Sequence, residues 1–228
     1  MLKIGLITVG QSPRVDVTSD ILPILGDGVE LIEAGALDEM TDRDFDRIAP
    51  KDGDYILVSR LRDGSQVCFT KRHILPIIQE LIYKLEAQDV ALIVLLCTGE
   101  LPKFKSDVPL IYSCDILEAL VPVISGGHRI AIIVPDCSQK LQNKKHWEKF
   151  VNNPYIVAAS PYGCSCELDI AIDEINEKAQ DATFVVMDCV GYSLKMKQHV
   201  FKKTGKRVIL ARTILAHVIK ELDIILYK

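Results

Sequence analysis

Short apolar runs rich in β-branched residues alternate with stretches of helical periodicity along the whole chain. Residues 4–9 (Ile-Gly-Leu-Ile-Thr-Val) form one such run, the pattern of a strand covered on both faces. It closes at Gly10-Gln11-Ser12-Pro13, where Ser12 reads as an N-cap, Pro13 as the first helical residue and Asp16 as a first-turn acid. That helix is expected to end near Leu25, before Gly26. Short strands follow at 29–32 and 55–58. Asp63-Gly64, between Arg60-Leu61-Arg62 and Gln66-Val67-Cys68-Phe69, is the strongest hairpin signal in the chain. An amphipathic helix is expected over 71–87, and then a fully apolar strand over 91–96.

The second half repeats the plan, with strands expected at 129–134, 155–159, 183–187 and 207–210. Helices are expected at 113–124, 138–150, 166–179, 193–204 and 212–226. Alternation of this kind implies parallel sheets with helices on both faces. There is also an internal echo. Residues 91–99, ending Cys97-Thr98-Gly99, match residues 183–191, ending Cys189-Val190-Gly191, at a spacing of 92 residues. A duplicated α/β lobe produces such a match, and the hairpin is an insertion in the first copy.

The 228 residues are 49% hydrophobic and 25% charged, ample for a buried core, and the net charge of −4 argues against a nucleic-acid partner. The longest apolar run, residues 90–97, is 8 residues long, against the ~20 a membrane-spanning helix needs. No signal peptide precedes the first strand pattern, so a cytoplasmic location is expected. Seven scattered cysteines fit reduced thiols better than a disulfide framework. Cys164-Ser165-Cys166 has no second ligand pair and reads as two thiols at a helix start, so no metal is expected. Without GxGxxG or Walker sequences, no nucleotide cofactor is expected either.

In parallel sheets, ligands bind beyond the carboxyl ends of the strands. Cys97 and Cys189 both stand there, each followed by x-Gly and an expected helix start. A helix N-terminus lowers a thiol pKa. Two such thiols, one ionised and one not, suit removal and return of a proton at a carbon next to a carboxylate. Cysteine is also among the most often buried residue types, and Cys68, Cys114 and Cys137 read as packing residues. Thr98, Ser193 and the backbone at Gly99 and Gly191 are candidates to hold the developing charge. In the first loop, Gln11 and Ser12 are candidate donors to a carboxylate and Arg14 its candidate ion-pair partner. Trp147 is expected to pack inward from a basic helix.

Three segments together resemble the AroM family: residues 7–14 (Ile-Thr-Val-Gly-Gln-Ser-Pro-Arg), residues 59–64 (Ser-Arg-Leu-Arg-Asp-Gly) and Met187-Asp188-Cys189-Val190-Gly191-Tyr192. That family is similar to the aspartate/glutamate/hydantoin racemase superfamily. The resemblance implies two pseudo-symmetric flavodoxin-like lobes with parallel sheets and an interlobe cleft. It divides the chain into 1–98 plus 212–228 and 99–211. It also implies a cofactor-independent enzyme of racemase or isomerase type acting on a small anionic metabolite, and a homodimer as the assembly. Cys97 and Cys189 would be its acid/base pair, with Gln11, Ser12, Arg14, Thr98, Gly99, Gly191, Tyr192 and Ser193 around the substrate. Within the superfamily the first cysteine precedes Asn-Thr and the second Thr-His, where this chain has Thr98-Gly99 and Val190-Gly191. The alternatives are a one-cysteine decarboxylase or lyase and a non-catalytic metabolite-binding protein.

Overall fold

The structure is a computed structural model that describes residues 1–222. Its strands are β1 (Leu2–Thr8), β2 (Val29–Gly35), β3 (Ile56–Arg60), β4 (Gln66–Thr70), β5 (Leu92–Leu96), β6 (Leu110–Tyr112), β7 (Ile130–Val134), β8 (Tyr155–Ala158), β9 (Phe184–Met187) and β10 (Arg207–Leu210). The helices are α1 (Val15–Leu25), α2 (Asp42–Ile48), α3 (Leu75–Glu86), α4 (Ser113–Ser125), α5 (Lys140–Trp147), α6 (Ser165–Lys178), α7 (Leu194–Thr204) and α8 (Ala211–Glu221). Two parallel four-stranded sheets result, in the orders β2-β1-β5-β6 and β10-β9-β7-β8. Strands β3 and β4 form the antiparallel hairpin expected at Asp63-Gly64.

The two-residue period of each central strand divides the core. On one face, Ile4 and Leu6 of β1, Val94 of β5, Ile132 of β7 and Val186 of β9 join one buried cluster with α1, α4 and α8. On the other, Ile7, Ile93 and Leu95 pack under α3 and the hairpin. Ile133, Val185 and Met187 pack under α6 and Val200 of α7. The two lobes therefore share their inner core and keep separate outer ones. None of the described helices is long and apolar enough to cross a membrane.

Five expectations change. The first helix begins at Val15, with Arg14 at its cap and a cis Ser12–Pro13 bond before it. Ser12 does not cap it, because its hydroxyl is taken by Asp38 at 2.6 Å. Strand β6, which was not expected, pairs with β5 and carries the first sheet on to Tyr112. Helix α2 was not expected; seven residues long and mostly charged, it has too little apolar periodicity to read. Cys164 and Cys166 are joined in a disulfide at the N-terminus of α6, in place of two free thiols, their Cα atoms 5.2 Å apart in the range such a bridge spans. Cys137, expected in packing, is exposed. The expected helix end at 223–226 lies outside the described residues.

Candidate active site

Strands β5 and β9 are the second-from-edge strands that carry the echo, and their carboxyl ends open on one cavity. It is a small, largely enclosed cavity, and both Cys97 and Cys189 line it. The two cysteine loops are tied together: the Thr98 hydroxyl donates to the Asp188 main-chain carbonyl at 3.1 Å.

The glycine two residues after each cysteine has a steric reason. A Cβ on Gly191 would lie 2.2 Å from the Tyr162 hydroxyl, and one on Gly99 would lie 2.6 Å from Leu57 Cδ2. Each glycine N–H instead turns back to the sulfur before it, Gly191 N–H reaching Cys189 Sγ at 3.3 Å. Arg212, wholly buried at the start of α8, fixes the second loop. Its guanidinium donates to the carbonyls of Val190 (2.8 Å) and Gly191 (2.7 Å) and to Asp20 Oδ2 (2.7 Å).

The sulfurs differ in surroundings. Burial pushes the Cys97 thiol up, with only the Gly99 N–H pulling the other way and Cys114, Cys189 and Asp188 adding to the rise. Burial also raises Cys189, and Asp188 adds to that, but the Gly191 N–H, the Arg14 guanidinium and the Tyr162 hydroxyl all favour its thiolate. Arg14 is itself buried. Burial works against its charge, but the bidentate pair with Asp16 (2.9 and 2.8 Å) outweighs that and keeps it ionised. A third bond runs from Arg14 Nη2 to the Tyr162 hydroxyl at 3.1 Å, linking a first-lobe cation to Cys189 through a second-lobe phenol. Both thiols are pushed above their ordinary value, and of the two Cys189 has more groups opposing that rise.

The AroM protein family matches residues 4–223. The chain belongs to the AroM family. No curated protein matches it in sequence. Solved structures share the fold of this AroM protein at low identity. The maleate isomerase Iso from Pseudomonas putida S16 is 13% identical with a TM-score of 0.63, over 97% of this chain and 93% of that one. The aspartate racemase of Picrophilus torridus is 11% identical with a TM-score of 0.62, over 97% and 94%. A liganded mutant of arylmalonate decarboxylase is 14% identical with a TM-score of 0.62, over 97% and 92%. The AroM chain thus has the two-lobed α/β fold of these racemases, isomerase and decarboxylase.

Of the residues singled out in the sequence, Cys97, Cys189, Arg14, Thr98 and Gly99 line the cavity. Gln11, Ser12, Gly191, Tyr192 and Ser193 are not among its lining. Gln11 bridges Leu37 O and Arg62 N–H, and Ser12 is held by Asp38. Tyr192 donates to Ala159 O at 2.7 Å, and Ser193 caps α7 by accepting from Met196 N–H. The polar groups of these side chains are engaged in contacts within the fold. Cys97 also lacks its expected helix: Pro102 and Pro109 keep the chain irregular up to β6.

Sequence reasoning missed Tyr55, Ser59, Gln139, Gln142, Asn143, Tyr162 and Asp188 in the lining. Asp188 had a signal, a carboxylate ending an otherwise apolar strand. Arg212 had one as well, since a cation in the first turn opposes the helix dipole and needs another reason to be there. Tyr162 had none. Among the described residues no cluster of three or more His, Cys, Asp or Glu is arranged to hold a metal ion.

Proposed function

We propose that this AroM protein moves a proton at the α-carbon of a small carboxylate or amino acid, without a cofactor, using Cys189 and Cys97 from opposite lobes. The observation that carries the reading is that the two sulfurs of the internal echo line one cavity. Cys189 as thiolate takes the α-proton, the electron pair delocalises into an enediolate, and the Cys97 thiol returns a proton to the other face. Their unequal surroundings support this division, one base and one acid. The printed activities of the fold's relatives (racemases, an isomerase, a decarboxylase) fit chemistry at such a carbon.

The same asymmetry favours a second reading. If Cys189 alone protonates a carbanion, the protein is a one-cysteine lyase or decarboxylase, with Cys97 filling space. The test is incubation in D₂O with a panel of small α-amino, α-hydroxy and α-aryl carboxylates, read by loss of the α-proton signal. Exchange in one substrate class is expected. Saturable binding of a panel member with no exchange in any would mark a metabolite-binding protein and overturn the enzymatic reading.

A further inference from the structure

The two-cysteine reading leaves Asp188 without a part. It follows the last residue of β9 and sits in the cavity wall, directly before Cys189. Its side chain is buried. Oδ2 accepts from Trp147 Nε1–H at 2.7 Å, while Oδ1 has no hydrogen-bond partner. Among the described residues four buried side-chain polar atoms are in that condition: Gln139 Oε1, His146 Nδ1, Thr183 Oγ1 and Asp188 Oδ1. Two of the four, Gln139 and Asp188, belong to residues lining this one cavity. An unmet buried polar atom costs about 1–3 kcal/mol, so such atoms concentrated at a cavity point to a partner that arrives with the ligand.

The charged and titratable groups around Asp188 decide which form it takes. Cys97, Tyr55 and Tyr192 face it uncharged, and Cys189, the base of the proposed reaction, brings no positive charge in either form. Glu118 and His146 lie farther off as a pair, 3.1 Å apart. Arg14, the cavity's cation, is committed to Asp16. Burial therefore raises the Asp188 pKa, against the pull of Trp147, Thr98 and His146. A carboxyl held neutral has an O–H to give, and such a group in an apolar site is a strong donor to an oxyanion.

We propose that Asp188 is a third catalytic group of this cavity: the oxygen that Trp147 leaves free carries a proton and donates it to the substrate oxygen on which charge gathers. The proposal rests on the proton-transfer reading and adds to it. As Cys189 takes the α-proton, the C–H electron pair becomes the enediol double bond and the carbonyl π pair moves onto oxygen. The Asp188 O–H moves toward that oxygen. When Cys97 delivers a proton to the opposite face, the pairs return and Asp188 recovers its own proton. One α-proton has been exchanged for another, Cys189 ends as thiol and Cys97 as thiolate, and the reverse reaction or solvent exchange restores the pair. Trp147 is a positioning residue, aiming the carboxyl.

The test compares the wild type with Asp188→Asn, which keeps an acceptor for Trp147 but has no acidic proton. Difference infrared spectra at neutral pH, without substrate, should show the carbonyl stretch of a neutral carboxylic acid that disappears in the variant. With an exchanging substrate, kcat in the variant should fall ~100-fold, as when one oriented donor is removed, with KM little changed. The wild type's loss of kcat at high pH, as Asp188 ionises, should be absent from the variant. An ionised carboxylate at neutral pH in the wild type, or an Asp188→Asn enzyme with wild-type kcat and pH profile, overturns the proposal while leaving the cysteine reading intact. Racemisation that survives Cys189→Ser at the wild-type rate overturns both.

Discussion

The Thr98 hydroxyl, one residue after Cys97, donates at 3.1 Å to the main-chain carbonyl of Asp188, one residue before Cys189. This bond crosses between lobes that the sequence separates by 90 residues, and it sets the register of the two sulfurs around the cavity. Thr98→Val keeps the shape and removes the donor, leaving a partly buried carbonyl unmet. A stability loss of about 1 kcal/mol is expected by urea unfolding. Exchange activity should fall more than stability implies, because the sulfurs lose their shared anchor.

Arg212 holds the Cys189 loop through Val190 O and Gly191 O while paired with Asp20. Arg212→Met leaves Asp20 without its partner and two carbonyls without donors. Breaking a buried ion pair from one side costs about 3–5 kcal/mol, and denaturant unfolding should show a loss of that size. Asp20, being partly exposed, should be less costly to change: Asp20→Asn should lose clearly less.

How far the sequence foretold this arrangement follows from which forces act locally. The apolar runs at β1, β5, β7 and β9 are visible because their residues are buried on both faces, and the Asp63-Gly64 turn because its chemistry is local. The matched Cys-x-Gly ends were visible too, and they led to the cavity. Ser12 misled because a cap and a side chain bound to Asp38, 26 residues away, look identical in one dimension. The partners of Gln11 and Tyr192, Leu37 O and Ala159 O, are equally invisible in one dimension. Tyr162 reaches the cavity from the loop between β8 and α6 and Asn143 from α5, and no spacing rule reports that. Strand β6 is three residues long and exists because β5 offers it an edge.

The buried thiols predict an alkaline weakness. In the unfolded chain they ionise near pH 9, whereas the fold holds Cys68 up to about 11, Cys114 to about 12 and Cys97 higher still, burial being the main cause of each. Their stabilising contribution is full below pH 9 and is lost as pH rises above it. Urea midpoints should stay level from pH 7 to 9 and then decline toward 11. Cys97→Ala should decline less steeply, whatever its absolute stability.

Asp188 carries the corresponding cost at neutral pH. Burial, the largest influence, raises its folded pKa above the usual 3.8, against Trp147 and Thr98. Whatever stability this gives is complete below 3.8 and is lost as pH rises through the folded value. Asp188→Asn should therefore raise the melting temperature at pH 7 and bring little gain in acid. Stability that rises on removing a cavity carboxyl is the pattern of a residue kept for function.

The central claim is that two sulfurs work on one carbon. Single variants Cys97→Ser and Cys189→Ser, each followed by α-proton exchange in D₂O starting from each enantiomer of the best panel substrate, test it most directly. The account predicts that both variants lose interconversion of the enantiomers by ~100-fold or more. Each should keep residual exchange with retention from the one enantiomer whose proton faces its surviving thiol. Racemisation at the wild-type rate in either variant would contradict it.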